Sequence, residues 1–259
     1  MRKRARPSEK GSQKVDSMLN VGCCGWNFFS PNQIIGRDWR KTYSSRLQAY
    51  ASIFDVIEVD STFYKLPMIS TAKRWRAEVD KVNANFEFIV KAPKAITHTS
   101  SFGQGTTAAL KGFIAVARAL RASKLLFQTP PSFGFTKENY NAVKTFMARV
   151  PGSYVKIWEP RGSWLQHLDE ARIGDVTLAV DPLRSTIIAE QGIYYYRLHG
   201  FGKGMMYSYK FSEGELRRIA KIAKEHAAYN TYIMFNNTYM YEDAIKLKSI
   251  LHIAPAQVF

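Results

Sequence analysis

The chain has 259 residues, 46% of them hydrophobic and 14% aromatic, with 37 Lys and Arg against 21 Asp and Glu for a formal charge of +16. That much apolar side chain excludes both a disordered chain and a mini-protein dependent on disulfide staples. No apolar run reaches the roughly 18 residues that span a bilayer and no apolar signal core opens the chain, so no membrane partner is expected.

Residues 1–17 carry Arg2, Lys3, Arg4, Arg6, Lys10 and Lys14 against Glu9 and Asp16, with Pro7 and Gly11 and almost nothing apolar. This reads as a basic, flexible N-terminal arm, either a solvated tail or an arm that touches nucleic acid. From residue 18 to residue 259 the pattern is one domain, with no linker, low-complexity stretch or heptad. The adjacent Cys23 and Cys24 are the only cysteines and cannot cross-link distant segments, which points to a reducing, cytoplasmic compartment.

Short apolar runs then alternate with amphipathic ones. Strands are expected over Met18–Trp26, Val56–Tyr64, Phe86–Pro93, Lys124–Thr129, Tyr154–Arg161, Thr177–Asp181, Tyr194–Gly200 and Thr231–Asn237. Helices are expected over Ser70–Lys81, Thr106–Ala122, Thr136–Val150, Glu213–Ala227 and Tyr241–Leu251. Runs such as Phe88-Ile89-Val90 and Leu125-Leu126-Phe127 suit strands buried on both faces of a parallel sheet. Repetition at roughly thirty residues predicts an α/β fold, a single (β/α)8 TIM-barrel-like domain of parallel strands, with a doubly wound sheet as the alternative. The sixth unit, between Asp181 and Tyr194, is too short for a full helix and should be irregular.

The strands turn polar where they end: Glu58 and Asp60, Lys91, Gln128, Glu159 and Arg161, Asp181, Arg197 and His199, Asn236 and Asn237. A charge in an apolar strand costs several kcal/mol unless paired or solvated, and a parallel barrel delivers all these ends to one mouth. Period-two alternation puts Glu58, Asp60, Thr62 and Tyr64 on one face, Ile157, Glu159 and Arg161 on another, and Tyr195, Arg197 and His199 on a third. Arg197 and Lys91 should depress nearby carboxyl pKa values, while crowding should raise at least one. A purely structural ion-pair layer is the competing reading.

Several blocks resemble the YecE-like family: Gly22-Cys23-Cys24-Gly25-Trp26, the run from Val56 to Pro67, Val90-Lys91-Ala92-Pro93 with Thr97-His98, Leu126 to Phe133, Trp158-Glu159-Pro160-Arg161, Tyr196 to Gly200, and Phe235-Asn236-Asn237. The family is a domain of unknown function with a TIM-barrel-like fold, so the resemblance implies the architecture and no reaction. It also marks site residues: Trp26, Glu58, Phe63, Tyr64, Lys91, His98, Gln128, Glu159, Arg161, Trp164, Asp181, Arg197, His199, Asn236 and Asn237.

Three functions suit this pattern. The first is a nucleic-acid-processing hydrolase of repair type, cutting phosphodiester or N-glycosidic bonds in DNA or RNA. Its catalytic set would be Glu58, Glu159, Asp181 and His199, with Glu58 or Glu159 activating water and His199 donating a proton. Lys91, Arg161 and Arg197 would hold phosphate, while Trp26, Phe63, Tyr64, Trp164 and Tyr196 would stack on bases. The second is a small-molecule enzyme acting on a sugar or sugar phosphate through paired carboxyls, Trp26, Asn236 and Asn237. The third is a non-catalytic nucleic-acid-binding protein. Basic residues ringing the mouth would favour a polymer, and scattered ones a small ligand. Glu58, Asp60, Glu159 and Asp181 could hold Mg²⁺ or Mn²⁺, but no HxH or HExxH spacing exists, so no cofactor or metal ligand is assigned. His167, His226 and His252 read as ordinary surface or packing residues.

Overall fold

Eight parallel strands hydrogen-bond in sequence order into a closed barrel. They are β1 (Leu19–Cys24), β2 (Val56–Val59), β3 (Glu87–Lys91), β4 (Lys124–Gln128), β5 (Val155–Glu159), β6 (Thr177–Val180), β7 (Ile193–Leu198) and β8 (Asn230–Phe235). The computed structural model describes residues 18–185, 192–201 and 208–255; the basic arm over residues 1–17 lies outside them. The registers that close the ring include Leu19 opposite Thr231 and Arg197 opposite Met234.

Alternation along each strand builds two packed layers. Inside the barrel, Val56, Ile89, Leu126, Ile157, Tyr195 and Met234 pack into one apolar plug with Cys24. Outside, Phe88, Phe127, Trp158, Leu198 and Phe235 pack against the helices. Near the amino ends of the strands the interior is closed by Lys124, whose ammonium lies 2.7 Å from Glu87, which also accepts from the Tyr232 hydroxyl at 3.1 Å. Gly22 allows the close approach of β1 to β2, because a Cβ there would lie 2.4 Å from the Val56 carbonyl oxygen. Gly25, at φ +110°, turns the chain where β1 ends.

The helices are α1 (Pro31–Ile34), α2 (Arg46–Ala51), α3 (Ile69–Asp80), α4 (Thr106–Ala119), α5 (Lys137–Met147), α6 (Glu213–Glu225) and α7 (Met240–Leu251). Side chains cap several: Ser45 and Thr136 accept from backbone amides three residues on, and Ser212 forms a reciprocal capping box with Glu215. α1 and α2 were not legible in the sequence, since neither is long enough to show a helical period. Between β5 and β6 there is a 3-10 turn (Gly162–Gln166) in place of an α-helix. The expected irregular sixth unit falls partly on residues 186–191, outside the described residues.

The strands end earlier than the sequence suggests. β2 stops at Val59 and Asp60–Phe63 winds into a 3-10 turn, so the expected shared face of Glu58, Asp60, Thr62 and Tyr64 breaks. Thr62 turns inward to donate to the Val59 and Lys91 carbonyls, and Tyr64 swings into solvent. The other two faces hold: Glu159 meets Arg161, and Tyr195 meets Arg197 through a shared partner. Both cysteines are free and buried. Among the described residues no helix is long and apolar enough to cross a membrane.

Candidate active site

At the carboxyl ends of the strands the side chains converge on Arg197. From β7 its guanidinium reaches Glu58 of β2 at 2.7 Å and Glu159 of β5 at 2.8 Å, and Asp60 at 3.3 Å. It also donates to the side-chain Oε1 of Gln128, on β4, at 3.1 Å and to His199 Nε2 at 3.1 Å. Glu58 receives a further hydrogen bond from the Tyr195 hydroxyl at 2.8 Å. Lys91 of β3 pairs with Asp60 at 2.6 Å, and Arg161 pairs with Glu159 at 2.8 Å. A guanidinium keeps its charge when buried, so burial is tolerated only where its donors find acceptors, and here carboxylates, Gln128 and His199 supply them.

Electrostatics divides the carboxyls. Burial alone would push Glu159 up, but Arg197 and Arg161 outweigh it and hold its pKa far below the usual carboxylate range. The same contest, settled by Arg197 and Lys91, keeps Asp60 low. Asp181, at the end of β6, goes the other way. Burial raises it to about 6, against the opposing pull of backbone amides and Arg184, with Glu159 adding to the rise. Its Oδ1 accepts from the Leu183 amide at 3.0 Å and its Oδ2 lies 3.6 Å from Arg184 Nε. The mouth thus holds permanently ionised carboxylates beside one that exchanges its proton near neutrality, the pairing general acid–base chemistry requires.

Several expected roles change. His199 Nε2 faces guanidinium donors from both Arg161, at 3.0 Å, and Arg197. Arginine donates only, so Nε2 carries no proton, and burial lowers the His199 pKa to about 3; it is no imidazolium proton donor. Glu159, so strongly ionised, is too weak a base to activate water. Glu58 is sealed, its oxygens spent on Arg197 and Tyr195. Arg197 and Lys91 are likewise spent on carboxylates rather than open to phosphate. Asp181 is the member of the expected catalytic set that remains.

Two hollows flank Arg197. One, of about 520 Å³, lies over β5–β7 and is lined by Glu159, Arg161, Asp181, Arg184 and His199. The other, of about 600 Å³, lies between β1, β2 and β8 and is lined by Trp26, Phe28, Asp60, Tyr64, Asn236 and Tyr241. Phe63 carries Lys91 over its ring at 4.7 Å and packs edge-on against His98, whose pKa burial and Lys91 lower. Asn237 borders the second hollow, but its side-chain NH2 is spent on Asp243 and the Tyr209 carbonyl.

Trp164 is not at the mouth. It is fully buried behind β5, edge-on to Trp158. Tyr196 faces outward too and bonds His226 at 2.7 Å. The sequence reading missed Arg184, Phe28 and Tyr241; only Arg184 left a trace, three residues after Asp181 with an i,i+3 ion pair. Glu58, Asp60, Glu159 and Asp181, the carboxylates considered for Mg²⁺ or Mn²⁺, each lie within ion-pair reach of a cation. Among the described residues no group of three or more His, Cys, Asp or Glu side chains is arranged to hold a metal ion.

Comparison with known proteins agrees with this architecture. Residues 20–254 match the family described as "Protein of unknown function DUF72". The UPF0759 protein YunF of Bacillus subtilis (strain 168) is 30% identical over 134 residues, 47% of this chain and 43% of that protein, so the match covers less than half of the relative's length. A DUF72 family protein of Enterococcus faecalis V583 superposes with a TM-score of 0.67 at 18% identity, covering 92% of this chain and 99% of that one. One from Thermotoga maritima MSB8 gives 0.65 at 21% identity, over 91% and 99%. A D-psicose 3-epimerase solved in the presence of D-fructose gives 0.50 at 12% identity, over 79% and 92%. At such identities these likenesses concern the fold alone.

Proposed function

The chain belongs to the DUF72 family, and from that premise we propose that it is an acid–base enzyme acting on a small, neutral, polyhydroxylated ligand in the hollow over β5–β7. The observation that carries this reading is geometric: Asp181 and Glu159 line one hollow, Glu159 held as an anion by Arg197 and Arg161 at 2.8 Å each, while Asp181, its pKa raised by burial, has its nearest cation, Arg184, at 3.6 Å. Asp181 gives its proton to a ligand oxygen or takes one from it; Arg161 and Arg184, both partly exposed, orient that oxygen.

Charge balance supports a neutral ligand. Lys91, Arg161, Arg184 and Arg197 stand against Asp60, Glu159, Asp181 and Glu58, so the cluster around Arg197 offers no surplus of cations for phosphate. Among the described residues the other basic side chains are spread widely: Lys73 and Arg74 on α3, Lys111 and Arg118 on α4 and Arg217 to Lys224 on α6, but also Arg37 and Arg40 after β1, Lys65 after β2 and Lys94 after β3. That distribution is mixed, so the preference for a small molecule rests on the paired charges around Arg197.

The test is incubation with aldoses, ketoses and glycosides in D2O, followed by NMR, which detects isomerisation, exchange and hydrolysis alike. Turnover by the native protein should fall about 100-fold or more in Asp181→Asn and partly recover in Asp181→Glu. Turnover indifferent to Asp181, or the absence of any turnover or binding across the panel, overturns the reading.

The formal charge of +16 favours a second reading, an enzyme or binder of nucleic acid. It would engage the outer basic helices, and cleavage of labelled DNA or RNA abolished by Asp181→Asn would establish it over the first.

A further inference from the structure

Phe28 and Tyr64 are the most exposed large apolar side chains among the described residues, at 87% and 74%, and both line the hollow between β1, β2 and β8. Exposed aromatic surface is costly in water, and its concentration at one cavity marks a contact surface. The remaining wall is stiff. Trp26 is fixed edge-on against Trp75 at 4.9 Å, and the Tyr241 hydroxyl donates to the Gly25 carbonyl at 3.2 Å.

Polar groups in the same hollow keep unused capacity. Lys91 and Arg197 both bind Oδ1 of Asp60, leaving Oδ2 without a partner among the described residues. The same cations keep Asp60 ionised, so Oδ2 can only accept. Among the described residues the Asn236 side-chain amide is also unspent, while its backbone amide donates to the Leu198 carbonyl. Aromatic rings with a free carboxylate oxygen and a free carboxamide form a site for a ring with an apolar face and hydroxyls at its edge.

We propose that this hollow is a second sugar-ring subsite, so that the substrate is a saccharide of at least two units, one ring at Asp181 and the next between Tyr64 and Phe28. The proposal rests on the neutral-polyol reading above. A nucleotide fits less well: its phosphate would meet the Asp60 carboxylate, and the cations beside it are already paired.

The experiment is calorimetric titration of the full-length protein with methyl hexosides and the matching disaccharides, on the native protein and on Phe28→Ala, Tyr64→Ala and their double variant. Both side chains are exposed, so truncation leaves the core intact, and thermal melts check this. A disaccharide should bind about tenfold or more tightly than its methyl glycoside, and the double variant should lose that gain while keeping the methyl glycoside affinity. Equal affinity for the two, or a gain that survives the double variant, overturns the second subsite but leaves the Asp181 reading standing. If neither class binds, the neutral-polyol reading falls and this one with it. Binding of guanosine or uridine lost in Tyr64→Ala, with no saccharide binding, reassigns the hollow to a base and overturns the proposal.

Discussion

The Arg197 guanidinium meets the Glu58 carboxylate at 2.7 Å with both side chains essentially out of solvent, at 1% and 0% exposure. The pair joins β7 to β2 across the top of the apolar plug, and every other charge in the mouth is arranged around it. Such a pair contributes little relative to an apolar replacement, but removing one partner strands the other in a medium that cannot solvate it.

Arg197→Met should therefore destabilise the fold by about 3–5 kcal/mol, measured by urea denaturation. Adding Glu58→Leu should recover much of that loss, since the stranded carboxylate goes as well. A single variant as stable as the native protein would show that the mouth is better hydrated than these burials imply.

Asp181 makes stability depend on pH in an unusual direction for a carboxyl. Its folded pKa, raised from 3.8 to about 6, means the native state holds this proton more tightly than the unfolded chain. The group favours folding at acid pH, and that contribution is withdrawn as pH climbs through 6. Asp181→Asn has no such titration. Its stability relative to the native protein should rise by about 1.4 kcal/mol per pH unit between roughly pH 4 and 6, then level off. His199, with its folded pKa lowered from 6.5 to about 3, has the opposite effect: its contribution is complete above 6.5 and lost as pH falls towards 3. Parallel stability curves for the two proteins would contradict the raised Asp181 value.

Gly22→Ala tests the closeness of β1 and β2. Its new Cβ would lie 2.4 Å from a backbone carbonyl that cannot rotate away. The cost expected is about 1–3 kcal/mol, read as a lowered midpoint of thermal unfolding.

Salt titration of labelled single-stranded DNA separates the outer surface from the mouth. Any binding should weaken steeply with salt and be unaffected by Asp181→Asn or Tyr64→Ala, because neither substitution removes a basic side chain. Affinity that falls with the mouth variants would return the polymer reading to favour.

The amino-acid sequence alone determined the barrel. Eight apolar runs at a regular repeat and buried on both faces allow few other arrangements, and their polar tips named most of the residues that meet at Arg197. Alternation placed Tyr195, Arg197 and His199 on one inward face because β7 stays extended almost to its end. It misplaced Tyr64 because β2 gives way to a 3-10 turn at Asp60, and it admitted Trp164 because a tryptophan after a strand looks the same whether it faces the mouth or the helices. Only the tertiary structure decided which charges are spent and which are usable. The pKa values of Glu159, Asp181 and His199 depend on neighbours from other strands a few ångströms away in a low dielectric, and no spacing along one chain encodes those distances.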